Sequence, residues 1–379
     1  AKVVGEALRK AIHLRMRSDV KVGSCLSGGL DSSSIVGIIC DELKQAHKDA
    51  EELTTVSIGF PNDKDINELG FCHQVTDFCR CGEHIITPDI DSVLEHLEQI
   101  VWHQDEPLPH LGAEVSYAVF KGAADNGCGV FFDGQGGDEG LAGYYGYYAH
   151  YLWNILTRKG IRKFGTELNK IVASSSMTRK LAILYMLYFN IAAVRIWGTS
   201  IKRNKYMSHR LRRAVDTSNL QMFFSSKDGT GRQIEDYLYG SLPGILHWED
   251  RNSMASSVET RLPFLDYEYV EKVLSVDLNE KIKNGYTKVP LREYMSGLLP
   301  DEVIWRKNKL GFPAPTSRWF WEIPREYFMD LLEQPRSAEF FNLKKIEKDY
   351  LRKCGNEEMM AKFILVELWM RKFDMRIAQ

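Results

Sequence analysis

The sequence has no long apolar run, no block of like charge and no low-complexity tract. Its longest apolar stretch, Leu181 to Val194, is interrupted by Asn190 and bounded by Lys180 and Arg195. Crossing a bilayer takes about 20 apolar residues, so a buried helix is expected there and no membrane partner. Net charge is only −2, from 49 basic and 51 acidic side chains. That balance gives no overall field for a polyanion or a lipid surface, and nucleic acid is not expected among the partners. A local basic cluster, Arg195, Lys202, Arg203, Lys205, Arg210, Arg212 and Arg213, reads as a solvated helix face. Cysteine is scarce and odd in number, seven in 379 residues. This suits a reducing, cytoplasmic setting better than a disulfide framework. Cys72, Cys79, Cys81 and His84 lie near one another but match no common zinc spacing, so buried thiols are expected. No charged-then-apolar leader stands at the start. The first residue is Ala1 rather than Met, so the chain is expected to be a piece, or a processed product, of something longer.

What is present is an alternation of strands and helices. Val4, Ala7, Leu8, Ala11 and Ile12 repeat at helical spacing over Lys2 to Met16. Strands are expected at Val20 to Leu26, Leu53 to Gly59, His84 to Thr87 and Gly129 to Phe132. Helices are expected at Ser32 to Lys44, Asp65 to Phe78, Ser92 to His103 and Ala113 to Asp125. Such alternation predicts an α/β fold with a parallel sheet and helices on both faces. Ligands of such sheets bind beyond the carboxyl ends of the strands, so the loops after Leu26, Ile58 and Phe132 should meet. From about residue 151 the alternation stops, and few strand candidates follow. The expected units are an α/β core at 1–150, a helical insertion at 151–232 and a helical region at 233–379 that completes the site.

The stretch Leu26-Ser27-Gly28-Gly29-Leu30-Asp31-Ser32-Ser33 lies between a strand and a helix. Glycines let the backbone approach a ligand, and a helix start presents unpaired N–H groups to an anion. Ser27, Ser32 and Ser33 add hydroxyls. Asp31 would repel a phosphate unless Mg²⁺ stood between them. No Gly-Lys-Ser/Thr follows, so this is not a Walker loop, and the glycine spacing is not that of a dinucleotide fingerprint. It reads either as a serine-rich strand-to-helix turn or, by resemblance, as the Ser-Gly-Gly-x-Asp-Ser pyrophosphate loop of enzymes that split ATP into AMP and pyrophosphate. A second loop, Asp133-Gly134-Gln135-Gly136-Gly137-Asp138-Glu139, follows another strand, with Gly143-Tyr144 just beyond. Its acids could simply cap a helix, or Asp138 could share a Mg²⁺ with Asp31.

With these two loops, Val56-Ser57-Ile58-Gly59, Asp250 to Ala255, Glu259 to Asp266 and Lys309-Leu310-Gly311-Phe312, the chain resembles the synthetase domain of the asparagine synthetase family. The matching pieces keep the family's order along almost the whole chain. The resemblance implies an adenine nucleotide alpha-hydrolase-like pyrophosphate-loop fold with a mostly helical C-terminal half. It also implies a reaction. A small-molecule carboxylate attacks the α-phosphorus of ATP, Mg²⁺ on Asp31 and Asp138 neutralises pyrophosphate, and ammonia or an amine converts the acyl-adenylate to an amide. By the same resemblance Leu26, Ile58, Asp133 and Gly134 hold the adenosine. The cofactor-binding set further takes in Ser27, Gly28, Gly29, Ser32, Ser33, Gly136 and Gly137. Lys309 would be a lysine that neutralises transition-state charge, an effect worth several kcal/mol. Glu259, Arg261 and Asp266 read as a supporting turn, and a homodimer is carried as an expectation.

Three features depart from the family's pattern. The N-terminal glutaminase domain with its terminal cysteine nucleophile is absent from this sequence, so the amine could be channelled from elsewhere. Gln135 stands where asparagine synthetases usually have Glu, and Gln takes no proton at neutral pH. Asp105-Glu106-Pro107-Leu108-Pro109-His110 replaces a Thr-Thr-Ile-Arg run that contacts substrate, leaving no Arg to clamp a second carboxylate. Two alternatives follow: an amidotransferase or peptide cyclase acting on another carboxylate, and an inactive nucleotide-binding partner subunit.

Overall fold

The computed structural model describes residues 1–191, 193–194, 205–214, 228–307 and 314–376. Five parallel strands form one sheet in the order β3-β2-β1-β4-β5. They are β1 (Val22–Cys25), β2 (Thr54–Ile58), β3 (Gly82–Ile86), β4 (Val130–Phe132) and β5 (Glu259–Arg261). The central strand β1 pairs on one side with β2, Gly23 opposite Thr54, and on the other with β4, Gly23 opposite Phe131. Both glycine loops therefore leave the same edge of adjacent strands.

The central strands β1, β2 and β4 are buried on both faces because helices cover both. Leu26, Val130 and Phe132 join a core built from α1 (Lys2–Arg15), α2 (Leu30–Gln45) and α3 (Leu69–Cys79). Cys25, Val56 and Phe131 face the other way, onto Val119, Phe120 and Ala123 of α5 (Ala113–Asp125). The alternation of Phe131 and Phe132 between two cores is the period of 2 that a strand imposes. The α4 helix (Ile90–Gln104) begins with a capping box at Asp89 and Ser92 and packs into a C-terminal core around Phe320, Phe328 and Phe363.

Most predicted elements appear near their expected bounds. The α3 helix starts at Leu69 rather than Asp65, and β3 starts two residues before His84. The strand β5 is a difference in kind. It lies in the half where strands looked scarce, yet it pairs with β4, Val130 opposite Glu259 and Phe132 opposite Arg261. Three residues, two of them charged, carry no apolar signal. Arg261 is accommodated at the sheet edge by donating to the Arg17 carbonyl at 2.7 Å and pairing with Glu259 at 2.8 Å.

Beyond α6 (Gly137–Gly140) the chain enters α7 (Tyr145–Ser174), broken at Gly160 (φ 80°, ψ 173°), and α8 (Arg179–Asn190). The α8 helix covers most of the longest apolar run but is buried on one side only. Ala182 and Met186 are buried, whereas Ile183 and Leu184 are exposed. Among the described residues no helix is long and apolar enough to cross a membrane.

Candidate active site

The first loop is built by side chains that hold one another. Ser32 Oγ lies 3.0 Å from Ser27 Oγ and accepts the Ser27 N–H at 3.2 Å. The Gly29 N–H donates to Ser27 Oγ at 3.4 Å. Gly28 has φ 71°, and a Cβ there would stand 3.0 Å from Phe71 Cβ and 3.1 Å from the Glu68 carbonyl, so both conformation and space require glycine. Arg306 pins the turn from outside. Its guanidinium donates to the Gly28 carbonyl at 2.6 Å, pairs with Glu68 and lies over the Phe71 ring at 4.2 Å. Burial raises the Glu68 carboxyl, and Arg306 offsets part of that rise.

The second loop follows β4 in the same way. Asp133 accepts the N–H of Gly134, and burial, followed by the charge of Asp31, pushes its carboxyl up to about 6. Glu139 is pushed up to about 7 by burial and by Asp138, and Tyr144 donates its hydroxyl to it at 2.9 Å. The back of α6 is propped by a buried chain. Lys281 Nζ donates to Gln233 Oε1 at 2.7 Å, and Gln233 Nε2 donates to the carbonyls of Glu139 and Gly140, each at 2.6 Å. Burial depresses the Lys281 ammonium to about 7.

One lysine joins the two loops. Lys288 pairs with Asp31 and lies 2.6 Å from Asp138 Oδ1. Burial alone would lower its pKa, but Asp138 and Asp31 outweigh burial and the net shift is upward. Two carboxylates reached by one ammonium are close enough to share one ion. The approach is packed by glycines. A Cβ on Gly137 would stand 2.7 Å from Asp31 Cγ, and one on Gly143 would stand 2.9 Å from Asp138 Cγ. Carboxylate oxygens are the hard donors that Mg²⁺ takes, and Mg²⁺ is commonly held by one or two carboxylates with substrate phosphates completing the shell. Among the described residues no cluster of three or more His, Cys, Asp or Glu forms a full cage, so the pair fits a metal that arrives with phosphate.

A cavity of about 360 Å³ opens over these groups. Of the residues singled out in the sequence, Ser27, Gly29, Asp31, Ser32, Asp133, Gly134, Gln135 and Asp138 line it. Leu26, Gly28, Ser33, Ile58, Gly136 and Gly137 are not part of that lining, and Leu26 and Ser33 are fully buried. Lys309 lies outside the described residues, as do Arg195, Lys202 and Arg203. Of the remaining basic cluster, Arg210 pairs at the surface with Glu339 and Arg212 and Arg213 are exposed. Cys72 is buried and Cys79 and Cys81 are half-buried.

Sequence reasoning missed Lys288, Glu249 and Arg306, which line the cavity together with Asn252 of the matched Asp250 to Ala255 stretch. Glu249 and Asn252 sit three apart on the helix Leu242–Ala255 and share its inward face. Asn252 accepts from Gln104 Nε2 at 2.8 Å and donates to the Ala113 carbonyl at 3.2 Å. Glu249 is buried, and its carboxyl is raised well above the usual range by burial and then by Asp133, with Gln135 pulling it partly back. Arg251, in the same matched stretch, turns outward to Asp105. Helical periodicity was the signal that separated these neighbours. Asp266 caps the helix Tyr267–Leu274 and pairs with Arg15 at 2.8 Å, and Arg261 binds main-chain carbonyls, so both serve as supports.

An open parallel sheet with two glycine loops converging at its carboxyl edge defines an α/β protein of the doubly covered, ligand-binding type. Residues 3–371 match the asparagine synthase family, and the chain belongs to that family. It is 29% identical over 362 residues to asparagine synthetase [glutamine-hydrolyzing] 1 of Bacillus subtilis, covering 92% of this chain and 54% of that protein. It is 26% identical over 357 residues to amidase chyE of Penicillium rubens, covering 83% and 52%. A putative glutamine-hydrolyzing asparagine synthetase of Methanocaldococcus jannaschii is 32% identical over 163 residues, 42% of this chain and 30% of that one. The chain thus spans about half the length of the first two relatives.

Proposed function

We propose that this chain is the ATP-dependent amide-forming part of a ligase. In this reading it joins a carboxylate to ammonia or an amine through an acyl-adenylate. The observation that carries the reading is the convergence of Asp31 and Asp138 on Lys288 in the lining of one cavity. The Ser27–Ser32 loop and the start of α2 receive the pyrophosphate portion of ATP. Mg²⁺ on Asp31 and Asp138 would supply charge neutralisation at the departing pyrophosphate. Lys288 adds a fixed positive charge where negative charge develops.

The amine must lose a proton as the amide forms, and Gln135 cannot take it. Glu249, hydrogen-bonded to Gln135, takes that proton in its ionised form; burial and Asp133 favour its neutral form, so the amide-forming step should speed up as pH rises. Glu249→Gln should then lower the amide-forming rate more than the pyrophosphate-forming rate. An equal fall in both would remove this role from Glu249.

The acceptor is the point at which two readings divide. Aspartate would need a cation for its second carboxylate. The Asp105–His110 loop holds no arginine, Arg251 is paired outside with Asp105, and Arg292 and Arg306 are engaged with main-chain carbonyls. Among the described residues Lys307 also lines the cavity and is a candidate cation for that carboxylate, so aspartate and another acid, the latter in line with the Penicillium relative's name of amidase, both stand as readings. Pyrophosphate release with ATP, Mg²⁺, ammonium and a panel of carboxylates tests both. Release with aspartate alone restores asparagine synthesis, and release with another acid supports the second reading. Tight ATP binding without release for any acid would replace both by a nucleotide-binding subunit.

A further inference from the structure

Lys288 is buried and held at both its ammonium and its backbone. Its residue is 4% exposed, and its ammonium reaches Asp31 and Asp138 together. Its backbone sits in the left-handed region, φ 58° and ψ 26°, which a residue with a side chain enters only under tertiary constraint. Its N–H donates to the Leu141 carbonyl at 3.3 Å, tying it to the end of α6. Gly143 packs against both Asp138 and Lys288 Cε, so the carboxylates and the ammonium close into one contact.

The charge count explains what this contact does. Asp31 and Asp138 contribute −2 and Lys288 +1, leaving −1 over the three groups. A divalent ion arriving alone would meet an ammonium already seated between its two ligands. Phosphate oxygens arriving with that ion offer the ammonium a new partner at the same moment.

We propose that Lys288 is an internal stand-in for the divalent cation. It holds Asp31 and Asp138 together while no nucleotide is bound, and it yields them only when phosphate is present, so metal and nucleotide bind as a unit. The proposal rests on the reading of Asp31 and Asp138 as metal ligands.

Mn²⁺ followed by electron paramagnetic resonance tests it without any turnover. Wild-type protein is titrated alone and with α,β-methylene ATP, beside Asp31→Asn and Lys288→Met, each checked for folding by circular dichroism. Wild type alone should leave Mn²⁺ free into the millimolar range. With the analogue, the protein should hold Mn²⁺ about tenfold more tightly than the analogue does by itself, and Asp31→Asn should lose that gain. Lys288→Met should bind Mn²⁺ without nucleotide about tenfold more tightly than wild type. Wild type that binds Mn²⁺ equally well with and without the analogue overturns the stand-in and leaves the metal site intact. So does a folded Lys288→Met that matches wild type. No protein-dependent Mn²⁺ binding under any condition overturns the metal reading itself. Should Lys288→Met fail to fold, the two wild-type titrations decide.

Discussion

Replacing Gly143 by alanine should disable the site while sparing the fold. A Cβ at this position would stand 2.9 Å from Asp138 Cγ and closer still to Asp138 Oδ1 and Lys288 Cε. Ordinary contact begins at 3.4 Å, so Asp138 Cγ alone must retreat by about 0.5 Å (3.4 − 2.9), and its carboxylate oxygen further. The backbone itself accepts alanine, because Gly143 is not among the positive-φ glycines. Overpacking of this kind costs about 1–3 kcal/mol. For a large domain that lowers Tm by about 2–4 °C per kcal/mol. The effect on rate is larger, since a misplacement near 1 Å at a reacting site costs about 10²-fold. The assay is pyrophosphate release with ATP, Mg²⁺ and a productive carboxylate, beside a thermal melt. Gly165→Ala is the control: nothing lies within 4 Å of its Cβ, and alanine in the helix should stabilise by about 0.5–1 kcal/mol with the rate unchanged. Wild-type rate in Gly143→Ala would refute the placement of Asp138 and Lys288 at the reaction centre.

Other outcomes follow from the same geometry. Asp31→Asn should reduce pyrophosphate release by more than about 10²-fold with an unchanged circular dichroism spectrum, and retained activity would remove the metal assignment. Gln135→Glu places a carboxyl beside Glu249 and Asp133. It should change acceptor preference or rate, and if a carboxylate panel shows neither, specificity does not lie at Gln135. Glu114 is buried, and burial, then Asp89, raises its carboxyl to about 7 from 4.5. A carboxyl raised in the folded state contributes stability below the unfolded pKa and loses it as pH rises through the folded one. Melts of wild type should therefore fall relative to Glu114→Gln between about pH 4.5 and 7, by at most ~3 kcal/mol. A pH-independent difference would contradict the shift.

The parallel sheet and its two glycine loops were legible because they are local. A buried strand followed by small residues and a helix start leaves its mark in ten consecutive residues. The loop at Ser27 to Ser33 and the loop at Asp133 to Glu139 were found this way, and both line the cavity in part. Lys288 was not legible, because its meaning comes from partners 257 and 150 residues away, and Thr287-Lys288-Val289 carries no pattern of its own. Glu249 stood one residue before a stretch already singled out. Only the turn of the helix decides that Glu249 and Asn252 face inward while Arg251 faces Asp105. The strand Glu259–Arg261 shows the same limit, since two charged residues of three form a strand only because β4 offers an open edge.

The wide spacing of Asp31, Asp138 and Lys288 also sets a timetable for synthesis. The contact between Lys288 and Asp31 spans 257 residues. Made at about 5–20 residues per second, a nascent chain carries its first glycine loop for roughly 10–50 s before Lys288 emerges. Through that interval the loop can be folded on β1 and β2, yet Asp31 and Asp138 lack the cation that joins them. A chain cut or stalled before Lys288 would carry both glycine loops without that lock. The three-segment construction thus makes completion of the centre a late event in the life of the molecule.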